Sequence, residues 1–150
     1  MWQETLKEVA NTMKRFGEAV NEGLAETDVH NFVATIEQEL KCSLPAEYLE
    51  ILKVVNGLEF NGSILYGADE QLIGSVPNQA IIGLIDNNKV LYENEWQKQY
   101  LFLGENSVSW YVYDLQAKQY LELDNPSGEV MQQFASCEEM MEKLLRVALM

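Results

Sequence analysis

Few side chains in this sequence have the type and spacing that chemistry requires. There is one histidine, His30, and no Cys, Asp or Glu stands at ligand spacing to it, so it reads as a surface or packing residue and not as a metal ligand. The two cysteines, Cys42 and Cys137, lie far apart, and neither belongs to a C-x-x-C or other reactive motif. They are expected to be reduced thiols. Acidic pairs do occur: Asp69 with Glu70, Glu93 with Glu95, and Asp114 with Asp124 across a predicted hairpin. Two carboxylates a few ångström apart in a cleft can hydrolyse a glycosidic bond. In a chain with 24 acidic residues such pairs arise by chance, so solvated surface is the preferred reading. No G-x-S-x-G, Walker A or G-x-G-x-x-G is present. No catalytic residue, metal or cofactor is expected.

What remains is a set of residues suited to binding. Trp110, Tyr111, Tyr113 and Tyr120 cluster in a segment with strand character. Val108, Trp110 and Val112 would share one face of that strand and serve the core. Tyr111 and Tyr113 would share the other face and are the better candidates for exposure and contact.

Charge is the more informative property. Ten basic residues face 24 acidic ones, for a net charge of −14. The excess is spread along the chain, with five basic and thirteen acidic residues in 1–75 and five and eleven in 76–150. Such a surface repels phosphate backbones, which argues against direct nucleic-acid binding. It would speed the approach of a basic protein partner, or simply keep the protein soluble. The 150 residues suit one domain, 1–150, with a core of its own. No run of eighteen apolar residues exists, and the start, Met1-Trp2-Gln3-Glu4, lacks signal-peptide character. The expected compartment is the cytoplasm.

The elements that position these residues follow from periodicity. Trp2, Leu6, Val9, Met13, Phe16 and Val20 step by four and three, which predicts an amphipathic helix closed by Gly23 or a turn just beyond it. This extra N-terminal helix, within 1–26, could pack on its own domain or form a short coiled-coil seam, so a monomer or a weak homodimer is expected. Thr27 or Asp28 can cap a second helix with Val29, Phe32, Val33, Ile36 and Leu40 on its apolar face. Residues 67–80 read as a loop with a short strand at Leu72-Ile73; in 81–96, Ile81, Ile82, Leu84 and Ile85 suit a strand alone but form a helical face with Asn88, Leu91 and Tyr92, and it is the family resemblance given below that implies a helix over 80–93. Strands are expected at Tyr100–Leu103, Val108–Tyr113, Gln119–Leu123 and Val130–Phe134. Ser136-Cys137-Glu138-Glu139 is a capping box for a closing helix.

The organising stretch is Leu44–Gly62. Pro45 opens a helix, Tyr48, Leu49, Leu52 and Val55 share one of its faces, and Asn56-Gly57 stops it. Leu58-Glu59-Phe60 then turns through Asn61-Gly62 into Ser63–Tyr66, a hairpin with a two-residue loop.

A helix opened by Leu-Pro, with an aromatic three residues after the Pro, and closed by Asn-Gly before a hairpin, resembles the core of the SUKH superfamily. Ile36-Glu37 to Leu40, Tyr100–Glu105, Trp110–Asp114 and Ser136–Leu145 resemble the family's preceding helix, central strands and closing helix, so the resemblance runs over residues 29–149. A YrhA-like branch is one placement within it. Two departures stand out: Lys41-Cys42 where many members carry Gly, and Ser107 where many place Gly before a strand. The resemblance implies an α+β fold, a mainly antiparallel sheet of five or six strands with helices from both termini packed on it. It implies an immunity protein that binds a cognate bacterial toxin domain, a nuclease fitting the acidic charge, or else a regulatory scaffold. A hydrolase is the third alternative. Candidate contact residues are Glu59, Asp69, Glu70, Asp86 and Glu93, beside the sheet and hairpin, with Tyr111 and Tyr113.

Overall fold

The computed structural model describes all residues, 1–150. Five helices flank one sheet: α1 (Trp2–Arg15), α2 (Glu26–Leu40), α3 (Ala46–Leu52), α4 (Leu84–Leu91) and α5 (Cys137–Leu149). The strands are β1 (Leu58–Phe60), β2 (Ser63–Leu65), β3 (Tyr100–Glu105), β4 (Ser109–Asp114), β5 (Gln119–Asp124) and β6 (Val130–Phe134). They lie in the order β1-β2-β3-β4-β5-β6, every neighbouring pair antiparallel. This is the expected α+β architecture with six strands. No helix is long and apolar enough to cross a membrane.

The hairpin chemistry is as the residues dictate. Gly57 takes φ +82°, and the turn residues Asn61 and Gly62 take +50° and +81°, conformations that Gly and Asn reach most easily. Ser136 caps α5 by accepting the Glu139 N–H at 3.1 Å. Lys41, where the resemblance leads one to expect Gly, sits at the end of α2 with φ +59°, the conformation for which Gly is suited.

Several boundaries differ from expectation. The helix α1 stops at Arg15, so Gly17, at φ +76°, ends it and not Gly23; Phe16 is left 74% exposed. Gly23 has another role. Its segment runs against the end of α3, the Leu24 N–H donating to the Leu52 carbonyl at 2.7 Å, and a Cβ there would overlap the Lys53 carbonyl. The cap position of α2 is Ala25, ahead of Thr27 and Asp28. Helix α3 ends at Leu52, before Asn56-Gly57, which instead turn the chain into β1. Residues Glu70–Leu72 form a single tight helical turn in place of the short strand. Helix α4 is shorter than 80–93 because it starts only at Leu84, where its end is capped from a distance, as described below.

The core is a single cluster that takes in the apolar faces of all five helices. Trp2, Leu6, Val9 and Met13 of α1 are spent on packing inside the chain, α1 lying against α5. The Thr5 hydroxyl donates to Glu142 of α5 at 2.6 Å. Buried asparagines bind the layers together. Asn56 accepts the Ala68 N–H at 2.7 Å, and its carbonyl accepts from the Asn21 amide at 3.1 Å. Asn88 donates to the Phe102 carbonyl at 2.9 Å and accepts the Phe102 N–H at 2.8 Å, fixing α4 to β3. Buried amides persist only where such partners exist.

Candidate partner-binding surface

The expected contact residues separate into three groups. Glu59, Glu70, Asp86 and Glu93 are exposed. They run from β1, through the turn after β2, to the two ends of α4. No basic residue pairs with any of them, whereas Glu39 and Glu95 are tied to Lys89 and Lys98 at 2.7 and 3.1 Å. These four carboxylates therefore face solvent without an ion pair, although Lys89 lies close enough to Asp86 to feel its charge.

Asp69 stands apart, and its expected exposure is corrected: the residue is 1% exposed. Its two carboxylate oxygens accept the N–H groups of Ile85 and Asp86, each at 2.9 Å. It thus caps α4 in place of a residue at the helix's own N-terminus, where Gly83 offers no side chain. Gly83 is required there because a Cβ would run into the Asp69 carboxyl. Burial raises the Asp69 pKa above the usual value, and the two N–H donors oppose that rise. The residue fixes the start of α4, which carries Asp86, to the turn after β2.

The tyrosines are the second correction. The face carrying Tyr111 and Tyr113 is the one that α5 covers. Tyr111 is wholly buried, its ring centroid 6.4 Å from that of Phe134, and across the sheet a Cβ at Gly104 would come within 2.9 Å of Leu144 of α5. Tyr113 is half-buried, 4.9 Å from Tyr120. Buried on the same face is Glu122, which accepts the Ser109 hydroxyl at 2.6 Å and pairs with Lys143 of α5 at 3.1 Å. This packing leaves Tyr111 with no exposed surface. On the opposite face Trp110 and Val112 are buried as expected, while Val108 is 61% exposed.

Asp114 and Asp124 do not meet across their hairpin. Register pairs Asp114 with Gln119 and Ser109 with Asp124, so Asp114 and Asp124 lie at opposite ends of their hairpin. Each closes a turn instead: Asp114 accepts the N–H groups of Gln116 and Ala117, and Asp124 accepts from Ser127. Both cysteines are free. Burial pushes Cys42 up to about 11, and burial with the nearby Glu47 pushes Cys137 up to about 12, so both stay as unreactive thiols at neutral pH. His30 is exposed on α2.

Residues that sequence reasoning passed over include Trp96, exposed beside Trp110, and Gln79, whose side chain bonds to the backbone of β1. Neither lies in a periodic segment, so no pattern marks them.

Comparison with known families gives one match: the model of the SUKH_6 family, described as SMI1-KNR4 cell-wall, matches residues 31–123. No curated protein matches the chain.

Proposed function

The chain belongs to the SUKH_6 family, and from that membership we propose that it is an immunity protein, which binds a cognate bacterial toxin domain in the cytoplasm and blocks its active site. The observation that carries the reading beyond the family is charge: −14 overall, with Glu59, Glu70, Asp86 and Glu93 unpaired at the surface. A nuclease domain is the toxin class that fits, since it binds phosphates in a basic cleft that an acidic protein can fill. The protein itself touches no nucleic acid and works without a metal or cofactor, as a monomer or a weak homodimer.

The experiment is co-expression. A toxin domain encoded beside this gene should kill cells alone and spare them when this protein is made with it, and the two purified proteins should form a complex. Continued killing, or the absence of a complex, would sink the proposal. The second reading is a non-catalytic regulatory module that binds a cellular protein. The family's cell-wall description favours it. Altered cell-wall integrity on deleting the gene, with no toxin to neutralise, would select that reading.

A further inference from the structure

An open meander has two edge strands, and each presents a row of backbone donors and acceptors that another chain can use. The two edges of this sheet are treated differently. At β1 the outward N–H and C=O of Glu59 are both taken by one side chain: Gln79 Oε1 accepts the N–H at 3.2 Å, and Gln79 Nε2 donates to the carbonyl at 2.8 Å. Gln79 is itself clamped, its N–H donating to Asn21 Oδ1 at 2.6 Å and its carbonyl accepting from Asn21 Nδ2 at 3.2 Å. An amide side chain thus stands where a further strand would bond.

The β6 edge has no such plug. Its sequence, Val-Met-Gln-Gln-Phe, holds no charge and no proline, the residues that ordinarily guard an edge. Val130 and Met131 are 53% and 57% exposed. A bulge between Glu122 and Leu123 leaves Met131 without a partner on β5, and bulges commonly re-aim a side chain.

Beside this edge lies an apolar corner. Trp110, Leu123 and Val130 form one row across β4, β5 and β6. The Trp96 ring sits 6.1 Å from that of Trp110 and is 40% exposed. It rests on the β5–β6 turn at Gly128, where a Cβ would lie 2.5 Å from the indole. Val108, just ahead of β4 and 61% exposed, is held to this end of the sheet by its carbonyl, which accepts the Asn125 N–H at 3.0 Å. The corner's rim carries Glu129 and Glu95, both exposed, with Asp124 joined to Glu129 through the backbone; Lys98 is tied to Glu95, and on the other face of β6 Lys143 is tied to Glu122 and to Gln132. A second copy of the chain would bring a further −14 to this edge, whereas a basic segment would be attracted by it.

We propose that β6, together with the Trp96–Val108–Val130 corner, docks an extended basic segment of the partner protein as a seventh strand. This rests on the immunity reading for the partner's identity, but not for the site's existence. Backbone bonds along β6 supply affinity, and alternate side chains of the segment, one apolar and one basic, select it through the tryptophan and the acidic rim.

The test uses the whole protein and a library of random twelve-residue peptides, panned against it without any toxin. Enriched peptides should alternate apolar and basic residues and should protect the amides of residues 130–134 from hydrogen exchange. Trp96→Ala and Met131→Lys should each weaken the best peptide by roughly tenfold or more. Met131→Pro should abolish binding; if it unfolds the protein, the lysine variant decides. No enrichment, or peptides that protect other segments, would overturn the inference. So would sedimentation showing a wild-type dimer that Met131→Lys dissolves, since the occupant would then be a second copy. A toxin neutralised equally well by Trp96→Ala and Met131→Lys would remove this site while leaving the immunity reading in place. Peptides bound at β6 with no toxin to neutralise would do the reverse.

Discussion

The hydroxyl of Tyr48, on α3, lies 3.0 Å from the carbonyl oxygen of Leu103, on the central strand β3, and also bonds the carbonyl of Tyr66 after β2. One proton thus serves two buried acceptors at the point where helix, hairpin and sheet meet. Burial pushes the Tyr48 phenol well above its usual range, so it remains a donor. Tyr48→Phe should leave both carbonyls without this donor and cost about 1–3 kcal/mol, measured by urea denaturation. An unchanged midpoint would mean that water replaces the hydroxyl.

Gly57→Val should lower stability by about 1–3 kcal/mol. Its φ of +82° resists a β-branched residue, and a Cβ there would come 3.0 Å from the Gly67 nitrogen. Equal denaturation midpoints for variant and wild type would contradict this account of the turn.

Asp69 makes stability depend on pH. Its pKa is raised in the folded state, so the folded protein holds that proton more tightly than the unfolded chain does. The group's contribution is therefore complete below the unfolded value and declines as the pH rises through the folded one. Asp69→Asn cannot titrate, and it keeps only one acceptor for the two N–H groups of α4. The stability of wild type relative to Asp69→Asn should be greatest in acid, below the ordinary carboxylate range, and should fall as the pH rises above that range. A gap that widens with rising pH would reverse the assigned direction.

Reversing Glu70, Asp86 and Glu93 to Lys together should slow association with the toxin domain and leave dissociation and fold little changed. The wild-type association rate should also fall steeply with salt. Rates indifferent to both would assign the charge to solubility.

Chelator and reductant should leave the melting temperature unchanged. Cys137, buried and with its pKa near 12, should resist a thiol-directed reagent at pH 8 until the protein unfolds. Rapid labelling of the native protein at Cys137 would show that α5 opens.

What was readable in the sequence was local. Asn61-Gly62 and Ser136–Glu139 name their own turn and cap, because the atoms that bond are within three residues of one another. Strand alternation likewise separated Trp110 and Val112 from Tyr111. Alternation does not say which face a helix will cover, and α5 covers the tyrosine face, so the burial of Tyr111 is not legible in the sequence. The burial of Asp69 is hidden for a related reason. Its neighbours in sequence are polar loop residues, and the N–H groups that bury it are 16 and 17 residues away. Of the proposed acidic surface, exposure at Glu59, Glu70, Asp86 and Glu93 followed from composition; the edge plugged by Gln79 could not, since a lone Gln in a loop carries no pattern.

The contact between α1 and α5 bears on how the chain is made. The apolar stripe of Trp2, Leu6, Val9 and Met13 leaves the ribosome well before the helix it lies against, and Thr5 meets Glu142 only across 137 positions. Throughout synthesis of the sheet that stripe has no native cover. Until α5 has been made, the apolar stripe of α1 lacks the helix that covers it in the folded protein. The clasp between the two helices therefore ties the two ends of the domain together across the whole length of the sheet's sequence.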